Sequence, residues 1–304
     1  MKTTLIINPK ANHGQAAQVT DTIISLVKDY INPEVIMTEG PGHAVEVARN
    51  AVDQGVELLV SVGGDGTVHE IVNGMVVGGI TDTTLGVVPI GSGNDLAFGL
   101  GISNDINKAV SIIFKGKKRR IDLARIEDDR GRFEVVTNGI GIGFDATITI
   151  QSRTITRVHG FTMYLLAVLR TIALYFQAPK VRILFDDERI EQNILLLAIG
   201  LGRRVGGGFF LTPDANHEDD LLDSCTIDPV SRYTMLALLP RVMRGTHTTS
   251  KFVKMRRSHL IDIKSESPLP VHVDGEIFAF PDDDVRQLTV TSLAKALPIM
   301  VPED

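Results

Sequence analysis

Short apolar runs alternate with amphipathic stretches through the first third of the chain. The runs cover residues 4–7, 34–38, 58–62 and 85–88. Brief and nearly uninterrupted apolar runs are typical of strands buried on both faces of a parallel sheet. Helices are predicted over 15–27, over 44–54 and from Thr67 onward, where apolar residues recur at helical spacing. The first third therefore predicts a three-layer α/β domain in which helices cover both faces of a parallel sheet.

From about residue 122 the pattern changes to short strands separated by hairpin turns. Strands are predicted at 132–137, 180–185, 189–197, 225–227, 260–264, 271–273 and 287–291. Turn signals such as Asp128-Asp129-Arg130-Gly131 stand between several of them. We therefore expect an α/β domain over 1–121 and a mostly antiparallel β-sandwich domain over 122–295. The apolar tail, 296–304, is expected to return to the first domain.

The stretch Gly63-Gly64-Asp65-Gly66-Thr67 connects the third apolar run to a helix. Its glycines let the backbone turn sharply and approach a ligand closely. Thr67 and Glu70 have the spacing of a capping box, which places the start of the helix at Thr67. A helix N-terminus behind such a loop favours a phosphate group. A tight turn in a sugar- or cofactor-binding domain is the alternative.

Asp65 would repel a phosphate bound at this loop unless a cation lay between the two. Phosphate together with Mg²⁺ resolves the conflict and indicates a nucleoside triphosphate. A second glycine loop, Pro89-Ile90-Gly91-Ser92-Gly93-Asn94-Asp95, follows the fourth run. Asn94 or Asp95 is placed to cap the helix after it. Because the carboxyl ends of parallel strands meet at one edge of a sheet, both loops are expected to converge on one crevice.

Both loops resemble motifs of known kinases. The first is similar to the nucleotide signature shared by diacylglycerol kinases, sphingosine kinases and NAD kinases. The second resembles the lipid-kinase form Pro-x-Gly-Thr/Ser-x-Asn-Asp-Φ-Ala, where Φ is apolar. The loop at Asn8 resembles the Asn-Pro-x-Ser-Gly loop of lipid kinases, with Ala11 and Asn12 in place of serine and glycine. The resemblance implies ATP as phosphoryl donor and a first domain with the fold of NAD kinases and phosphofructokinases.

The resemblance also implies which residues lie at the nucleotide. The implied ATP contacts are Asn8, Thr38, Gly63, Gly64, Asp65, Gly66, Thr67, Val68, His69, Glu70, Gly91, Ser92 and Asn94. Asp65 and Asp95 are implied as catalytic residues that position Mg²⁺. His69 stands where asparagine is common in lipid kinases, and this departure keeps a non-catalytic alternative open.

An acidic turn in the second domain continues the resemblance. Val271-His272-Val273-Asp274-Gly275-Glu276 resembles the Φ-Asp-Gly-Glu motif of lipid kinases, in which a carboxylate is the general base. Asp274 or Glu276 is therefore implied as the base, and the choice between them stays open. A glycine-rich segment, 138–145, resembles a family element that borders the acceptor site and ends at Asp145. A structural turn is its alternative.

A second acidic segment resembles the element that holds a structural Mg²⁺ in the family. Its implied ligands are the carboxylate of Asp219 and the backbone carbonyls of Asn216 and Leu221. Asp220 stands where glycine is usual, and a left-handed backbone there would cost energy. An acidic surface loop is the alternative for this segment.

Charge and cysteine content narrow the function classes. The formal net charge is -6, which argues against a general nucleic-acid binder. The single cysteine, Cys225, excludes an internal disulfide and a cysteine-rich zinc site. The N-terminal apolar run is too short for a signal peptide, and the longest run, 161–176, falls short of the ~20 residues that span a bilayer. We expect a cytoplasmic protein with at most a peripheral contact at the inner membrane face.

These observations together predict an ATP- and Mg²⁺-dependent lipid kinase with diacylglycerol as the favoured acceptor. The expected partner is a lipid at the membrane surface. Phosphatidylglycerol, a sphingoid base or an isoprenoid alcohol would present the same hydroxyl group. NAD kinase is the alternative enzyme, because it shares the first motif, and a nucleotide-binding regulatory protein without catalysis is the alternative of another class. A homodimer is left open.

Overall fold

The computed structural model describes residues 1–76, 82–155, 158, 160–175 and 177–303. It divides into two compact units. Unit 1 consists of Met1–Asp122 and Ala294–Asp304, and unit 2 of Leu123–Leu293. Phe176, the last residue of the longest apolar run, lies outside the described residues.

Unit 1 contains a parallel sheet. Its strands are β1 (Thr3–Ile7), β2 (Glu34–Met37), β3 (Leu58–Gly63) and β4 (Thr84–Pro89). They lie in the order β2-β1-β3-β4, and each neighbouring pair is parallel. Every residue of β1, β3 and β4 is buried. The runs that form β1, β3 and β4 therefore correctly predicted strands that are covered on both faces, whereas β2, at the edge of the sheet, is partly exposed.

The helices of unit 1 connect these strands. They are α1 (Ala11–Lys28), α2 (His43–Asp53), α3 (Asp65–Val76), α4 (Asp95–Gly99) and α5 (Ile106–Lys115). Side chains of α1 and α5 share one apolar cluster with alternate residues of the strands, while α2 and α3 pack against each other and contact β1 and β3. Asn12, His13 and Gly14 have φ angles of 48°, 56° and 86°, so the regular part of α1 starts after them, as predicted.

Unit 2 is an antiparallel sandwich of two sheets. Its strands are β5 (Lys117–Asp128, which starts in unit 1), β6 (Phe133–Val136), β7 (Gly139–Gly143), β8 (Lys180–Phe185), β9 (Glu188–Asn193), β10 (Leu196–Gly200), β11 (Leu222–Ile227), β12 (Val253–Ser258), β13 (Leu260–Ser265), β14 (Val271–Val273), β15 (Glu276–Ala279) and β16 (Gln287–Val301, which ends in unit 1). One sheet has the order β12-β11-β10-β7-β14-β15; in the other, β16, β13, β8 and β9 are neighbours. Side chains of both sheets form a common apolar core, which confirms the predicted fold class.

Three helices cover the outer face of the sheet that contains β10. They are α6 (Phe144–Ser152), α7 (Gly160–Leu174) and α8 (Arg232–Val242). Side chains alternate along β10: Leu197 and Ile199 enter the core between the sheets, whereas Leu196 and Ala198 pack with the helices. No helix in the described ranges is both long and apolar enough to cross a membrane.

Two parts of unit 2 differ from the sequence-based expectation. The single strand predicted over 189–197 is wrong, because β9 pairs with β8 in one sheet while β10 pairs with β7 and β11 in the other. The chain changes sheets at Ile194 and Leu195, which are as apolar as the two leucines after them and give no turn signal. The glycine-rich segment is a strand rather than a turn, since Gly139–Gly143 forms β7.

Candidate active site

Helix α3 starts at Asp65 rather than at Thr67. The predicted capping box is wrong, because the Glu70 carboxylate accepts the backbone N–H groups of Gly42 and Ala44 at 3.0 and 3.2 Å. These two residues lie at the start of α2, whose N-cap residue is a glycine and has no side chain to accept such bonds. Glu70 therefore caps a neighbouring helix.

The two glycine loops of unit 1 pack backbone against backbone. A Cβ atom on Gly91 would lie 2.5 Å from the Gly64 Cα atom, and one on Gly63 would overlap the Thr67 side chain. None of these three glycines has a φ angle in the left-handed region. Glycine is thus required at positions 64 and 91 by the close approach of the loops, and at position 63 by the Thr67 side chain, rather than by the sharp turn that the sequence suggested.

Asp65 connects these loops through its carboxylate. Its Oδ1 atom accepts the backbone N–H of Asp95 at 2.7 Å and that of Leu96 at 3.4 Å, and so caps α4. The prediction that Asn94 or Asp95 provides this cap is wrong. The Asn94 side chain turns back to its own loop, where Oδ1 accepts the Gly91 N–H at 2.8 Å and Nδ2 donates to the Gly91 carbonyl at 2.9 Å.

The Asp65 and Asp95 carboxylates point to the same small space. A Cβ atom on Gly93 would lie 2.8 Å from Asp65 Oδ2 and 3.4 Å from Asp95 Oδ2. Part of Asp65 remains accessible, but atoms crowd its carboxyl group. This burial, with repulsion from Asp95, raises the pKa of Asp65 to about 7. Two hard oxygen ligands whose charges repel suit a divalent cation, so these residues fit Mg²⁺.

Asn8 and Thr67 are brought together in unit 1. Asn8 Nδ2 donates to Thr67 Oγ1 at 3.1 Å, and Asn8 Oδ1 accepts the Lys10 backbone N–H at 3.0 Å. The side chain of Asn8 therefore fixes the loop after β1 against the first turn of α3.

Other predicted nucleotide contacts are placed differently. Thr38 is buried directly after β2, and Ser92 is exposed on the second glycine loop. The side chains of Val68 and His69 are buried. The nucleotide contacts of these four residues stay predictions.

The acidic segment between β10 and β11 forms tight local turns. Asn216 Oδ1 accepts the Glu218 N–H and Asp219 Oδ1 accepts the Leu221 N–H, both at 3.2 Å. Asp220 has the left-handed backbone considered from the sequence, with a φ angle of 60°. Within the described residues no group of three or more His, Cys, Asp or Glu side chains is arranged to hold a metal ion. The structural Mg²⁺ site at Asn216, Asp219 and Leu221 stays a prediction.

The acidic turn between β14 and β15 gives its two carboxylates different surroundings. Asp274 accepts the backbone N–H groups of Thr137, Asn138 and Gly139 at 2.8 to 2.9 Å and the Thr137 hydroxyl at 2.9 Å. Both of its oxygens are therefore engaged in holding the segment that enters β7. Glu276 is half exposed, so it is the accessible carboxylate of the turn.

Arg153, which the sequence reasoning did not single out, pairs with Glu276. The Arg153 Nη2 atom lies 2.7 Å from Glu276 Oε2, and both side chains are about half exposed. The two residues are 123 positions apart and no motif connects them, so only the folded chain reveals the pair.

An apolar cavity lies between the helices of unit 2 and the sheet beneath them. Its volume is about 80 Å³, and its apolar lining includes Ile148, Val168, Leu196, Phe209, Met235 and Leu239. Asp145 brings a carboxylate to this lining although it is only 2% exposed. The Tyr164 hydroxyl, also at the cavity, donates to Asp145 Oδ1 at 3.2 Å. The cavity thus combines apolar walls with one localised polar group, as small-molecule sites commonly do.

Comparisons with known proteins cover nearly the whole chain. The model of the diacylglycerol kinase catalytic domain matches residues 2–126, and that of the YegS C-terminal NAD kinase beta sandwich-like domain matches residues 138–296. A diacylglycerol kinase of Mycobacterium tuberculosis is 31% identical over an alignment of 304 positions, which covers 99% of this chain and 95% of that protein. A diacylglycerol kinase of Bacillus subtilis is 27% identical over 238 residues, 77% of this chain and 76% of that protein.

Solved structures share the fold. A diacylglycerol kinase from Bacillus anthracis has a TM-score of 0.75 at 21% identity and covers 99% of this chain and 96% of its own. An NAD kinase from Archaeoglobus fulgidus in complex with ATP has a TM-score of 0.54 at 13% identity and covers 100% of this chain and 94% of its own. At these identities the likeness concerns the fold.

Proposed function

The chain belongs to the diacylglycerol kinase family of ATP-dependent lipid kinases, and we propose that it phosphorylates the hydroxyl group of diacylglycerol with the help of Mg²⁺. Membership of this family favours a lipid kinase over an NAD kinase and over a nucleotide-binding protein without catalysis. The names of the relatives from M. tuberculosis and B. subtilis support diacylglycerol as the acceptor. In this proposal the domain over 1–121 binds ATP, and the domain over 122–295 binds the lipid.

The glycine loops of unit 1 bind the triphosphate of ATP in this proposal. Their backbones are packed tightly at Gly64 and Gly91, so their N–H groups are held in place before the nucleotide arrives. The start of α3 adds the positive end of a helix dipole, which favours phosphate. Asn8 supports this arrangement because it holds the Thr67 hydroxyl.

Asp65 and Asp95 are the proposed holders of the catalytic Mg²⁺. Bound Mg²⁺ neutralises negative charge on the phosphate groups during transfer. Asp65 also caps α4, so its position is fixed by the backbone that carries Asp95. For the structural Mg²⁺ we propose Asp219 together with the carbonyls of Asn216 and Leu221.

Glu276 is the proposed general base. Its carboxylate takes the proton of the lipid hydroxyl while the oxygen forms a bond to the γ-phosphorus and the bond from that phosphorus to ADP breaks, in line. The four hydrogen bonds that Asp274 accepts assign it to holding the turn. Arg153, which pairs with Glu276, leaves this carboxylate when the acceptor binds.

The apolar cavity of unit 2 is the observation that most supports a lipid as the acceptor. A soluble acceptor such as NAD would need polar partners along its whole length, whereas this lining is apolar except near Asp145 and Tyr164. The end of an acyl chain is the group that such walls favour, because burying it removes apolar surface from water.

Exposed apolar side chains support a peripheral contact with the membrane. Leu166 and Leu169 on α7 are 42% and 39% exposed, and Tyr233 and Leu236 on α8 are 84% and 43% exposed. Both helices also line the cavity. We propose that this surface rests on the membrane from which the lipid enters.

Narrowing the cavity tests the lipid assignment. Val168 lines the cavity and is 4% exposed, while Leu169 beside it in the sequence is 39% exposed. Val168→Phe should raise the KM for diacylglycerol about tenfold and leave the KM for ATP unchanged. Leu169→Phe, which adds an aromatic ring on the proposed membrane surface and outside the cavity, is the matched control and should not raise the KM for diacylglycerol. Equal values of this KM in Val168→Phe and wild type, with both proteins folded, would contradict the assignment.

A further inference from the structure

His272 and Asp145 form a buried pair in unit 2. His272 Nε2 lies 3.0 Å from Asp145 Oδ2, and the exposed fractions of the two residues are 3% and 2%. His272 pairs with Gly141 across β14 and β7. A Cβ atom on Gly141 would overlap both side chains of the pair. The alternation of glycine and isoleucine in β7 therefore leaves room for this pair on the face that carries the helices.

The second ring nitrogen of His272 reaches the acidic turn. The Gly275 backbone N–H donates to His272 Nδ1 at 3.4 Å. Since a backbone N–H can only donate, Nδ1 is the accepting nitrogen and Nε2 carries the hydrogen that it donates to Asp145. The imidazole ring thus joins Asp145 to the centre of the turn between Asp274 and Glu276.

The centre of this turn has open space beside the Gly275 Cα atom. Gly275 has a φ angle of 86°, and a Cβ atom placed on it would meet no atom within 4 Å. The turn is fixed from one side by the hydrogen bonds that Asp274 accepts. On the side of Gly275, the backbone N–H bonds to His272, and Glu276 pairs with Val273 as β15 begins.

We propose that His272 is a positioning residue for Glu276. By holding the Gly275 N–H, it sets the direction in which the chain leaves the turn and hence where the Glu276 carboxylate lies. Asp145 holds the ring in the required tautomer, and the Tyr164 hydroxyl holds Asp145 at the wall of the cavity. The inference rests on the proposed role of Glu276 as general base.

Three substitutions of His272 test its hydrogen bonds to Gly275 and Asp145 one at a time. The Asn side chain places an oxygen where His has Nδ1, and the Gln side chain places an NH₂ group where His has Nε2. His272→Asn can therefore still accept the Gly275 N–H, while His272→Gln can still donate to Asp145. His272→Ala makes neither bond. The measurements are kcat, the KM for ATP and the KM for diacylglycerol, with Tm as a measure of stability.

We expect His272→Ala and His272→Gln to lose about tenfold to a hundredfold in kcat, the usual effect of removing a group that orients a reacting one. Neither KM should change more than twofold. His272→Asn should recover most of the lost kcat even though its Tm falls below that of His272→Gln, because it removes the donor to Asp145 Oδ2 and leaves only the Tyr164 hydroxyl bound to this carboxylate. If His272 had only a structural role, kcat would fall with Tm, and His272→Asn would be less active than His272→Gln. That result would overturn the proposal.

Glu276→Gln separates a failure of this inference from a failure of the proposed function. If Glu276→Gln is inactive while His272→Gln turns over like the wild type, His272 does not position the base. If Glu276→Gln turns over like the wild type, the assignment of the base is wrong, and the inference about His272 is overturned with it.

Discussion

The carboxylate of Asp65 accepts the backbone N–H of Asp95 at 2.7 Å. One acidic residue of the first glycine loop thereby caps the helix that follows the second loop. The same contact brings two carboxylates to one small space, where burial of Asp65 and then repulsion from the Asp95 charge raise the pKa of Asp65 to about 7, against the lowering effect of the hydrogen bond itself. The ionised Asp65 carboxylate therefore lowers the free energy of unfolding of the metal-free protein, and perturbed groups of this kind are common at functional sites.

Asp65 should make the metal-free protein less stable as the pH rises. Its pKa is 3.8 in the unfolded chain and about 7 in the folded protein, so between these values the folded state binds more protons. The free energy of unfolding contributed by Asp65 is therefore greatest below pH 3.8, falls as the pH rises to about 7, and is constant above it. Asp65→Asn mimics the protonated form and should stabilise the metal-free protein at pH 8 by roughly 2 kcal/mol.

Urea unfolding at pH 5.5 and pH 8, with EDTA present, measures this effect. The gain from Asp65→Asn should be larger at pH 8, and turnover should be lost at both values. A gain that is equal at both pH values would show that the Asp65 carboxyl group is not protonated in the folded protein near neutrality.

Gly91→Ala should separate the two glycine loops. Its Cβ atom would lie 2.5 Å from Gly64 Cα and 2.6 Å from Asn94 Oδ1, so the backbone must move. We expect a loss of about 1–3 kcal/mol in the free energy of unfolding and an increase in the KM for ATP. Gly40→Ala is a control for the loss of a glycine, since its added methyl group meets no atom within 4 Å and its φ angle is not in the left-handed region. An unchanged KM for ATP in Gly91→Ala would show that the loop contact does not shape the nucleotide site.

Glu70→Ala should affect stability rather than nucleotide binding. The Glu70 carboxylate caps α2 through Gly42 and Ala44, and loss of a helix cap costs about 0.5–2 kcal/mol. Thermal unfolding should show a lower Tm, while the KM for ATP stays within twofold of the wild type. An increase in this KM without a change in Tm would instead support the direct ATP contact expected from the sequence.

Asp274→Asn should mainly lower stability, whereas Glu276→Gln should mainly lower kcat. Asn at 274 would turn an NH₂ group toward N–H donors and cost about 3 kcal/mol or more in stability. Glu276→Gln should leave Tm within a few degrees of the wild type and lower kcat by about 10²–10⁴, the usual contribution of a general base. Circular dichroism on heating and steady-state kinetics measure the two quantities. If Asp274→Asn lost more kcat per folded molecule than Glu276→Gln, Asp274 would be the general base instead of Glu276.

The parallel sheet of unit 1 was predictable because each of its strands is an apolar run that ends in a loop. The partners of the polar side chains were not. Thr67 and Glu70 have the spacing of a capping box, but tertiary packing brings the start of α2 to Glu70. In the same way Asp65, which lies far from Asp95 in sequence, caps α4 in place of Asn94.

In unit 2 the acidic turn was recognisable, but the sequence alone left Asp274 and Glu276 equivalent. They differ because the N–H groups of 137–139 reach only one of them. The alternation of glycine and isoleucine in 139–143 was the available signal for the pair of Asp145 and His272. Glycines at alternate positions leave one face of a strand without side chains, so this face has room for large side chains from neighbouring elements.

The central claim is that this lipid kinase phosphorylates diacylglycerol. Transfer of radiolabelled γ-phosphate from ATP, with Mg²⁺, to a panel of lipids in mixed micelles tests it most directly, with NAD as a soluble acceptor for comparison. We predict labelled phosphatidic acid from diacylglycerol, its loss in Glu276→Gln and no label in NAD. Label in another lipid with none in diacylglycerol, or label in NAD, would contradict the claim.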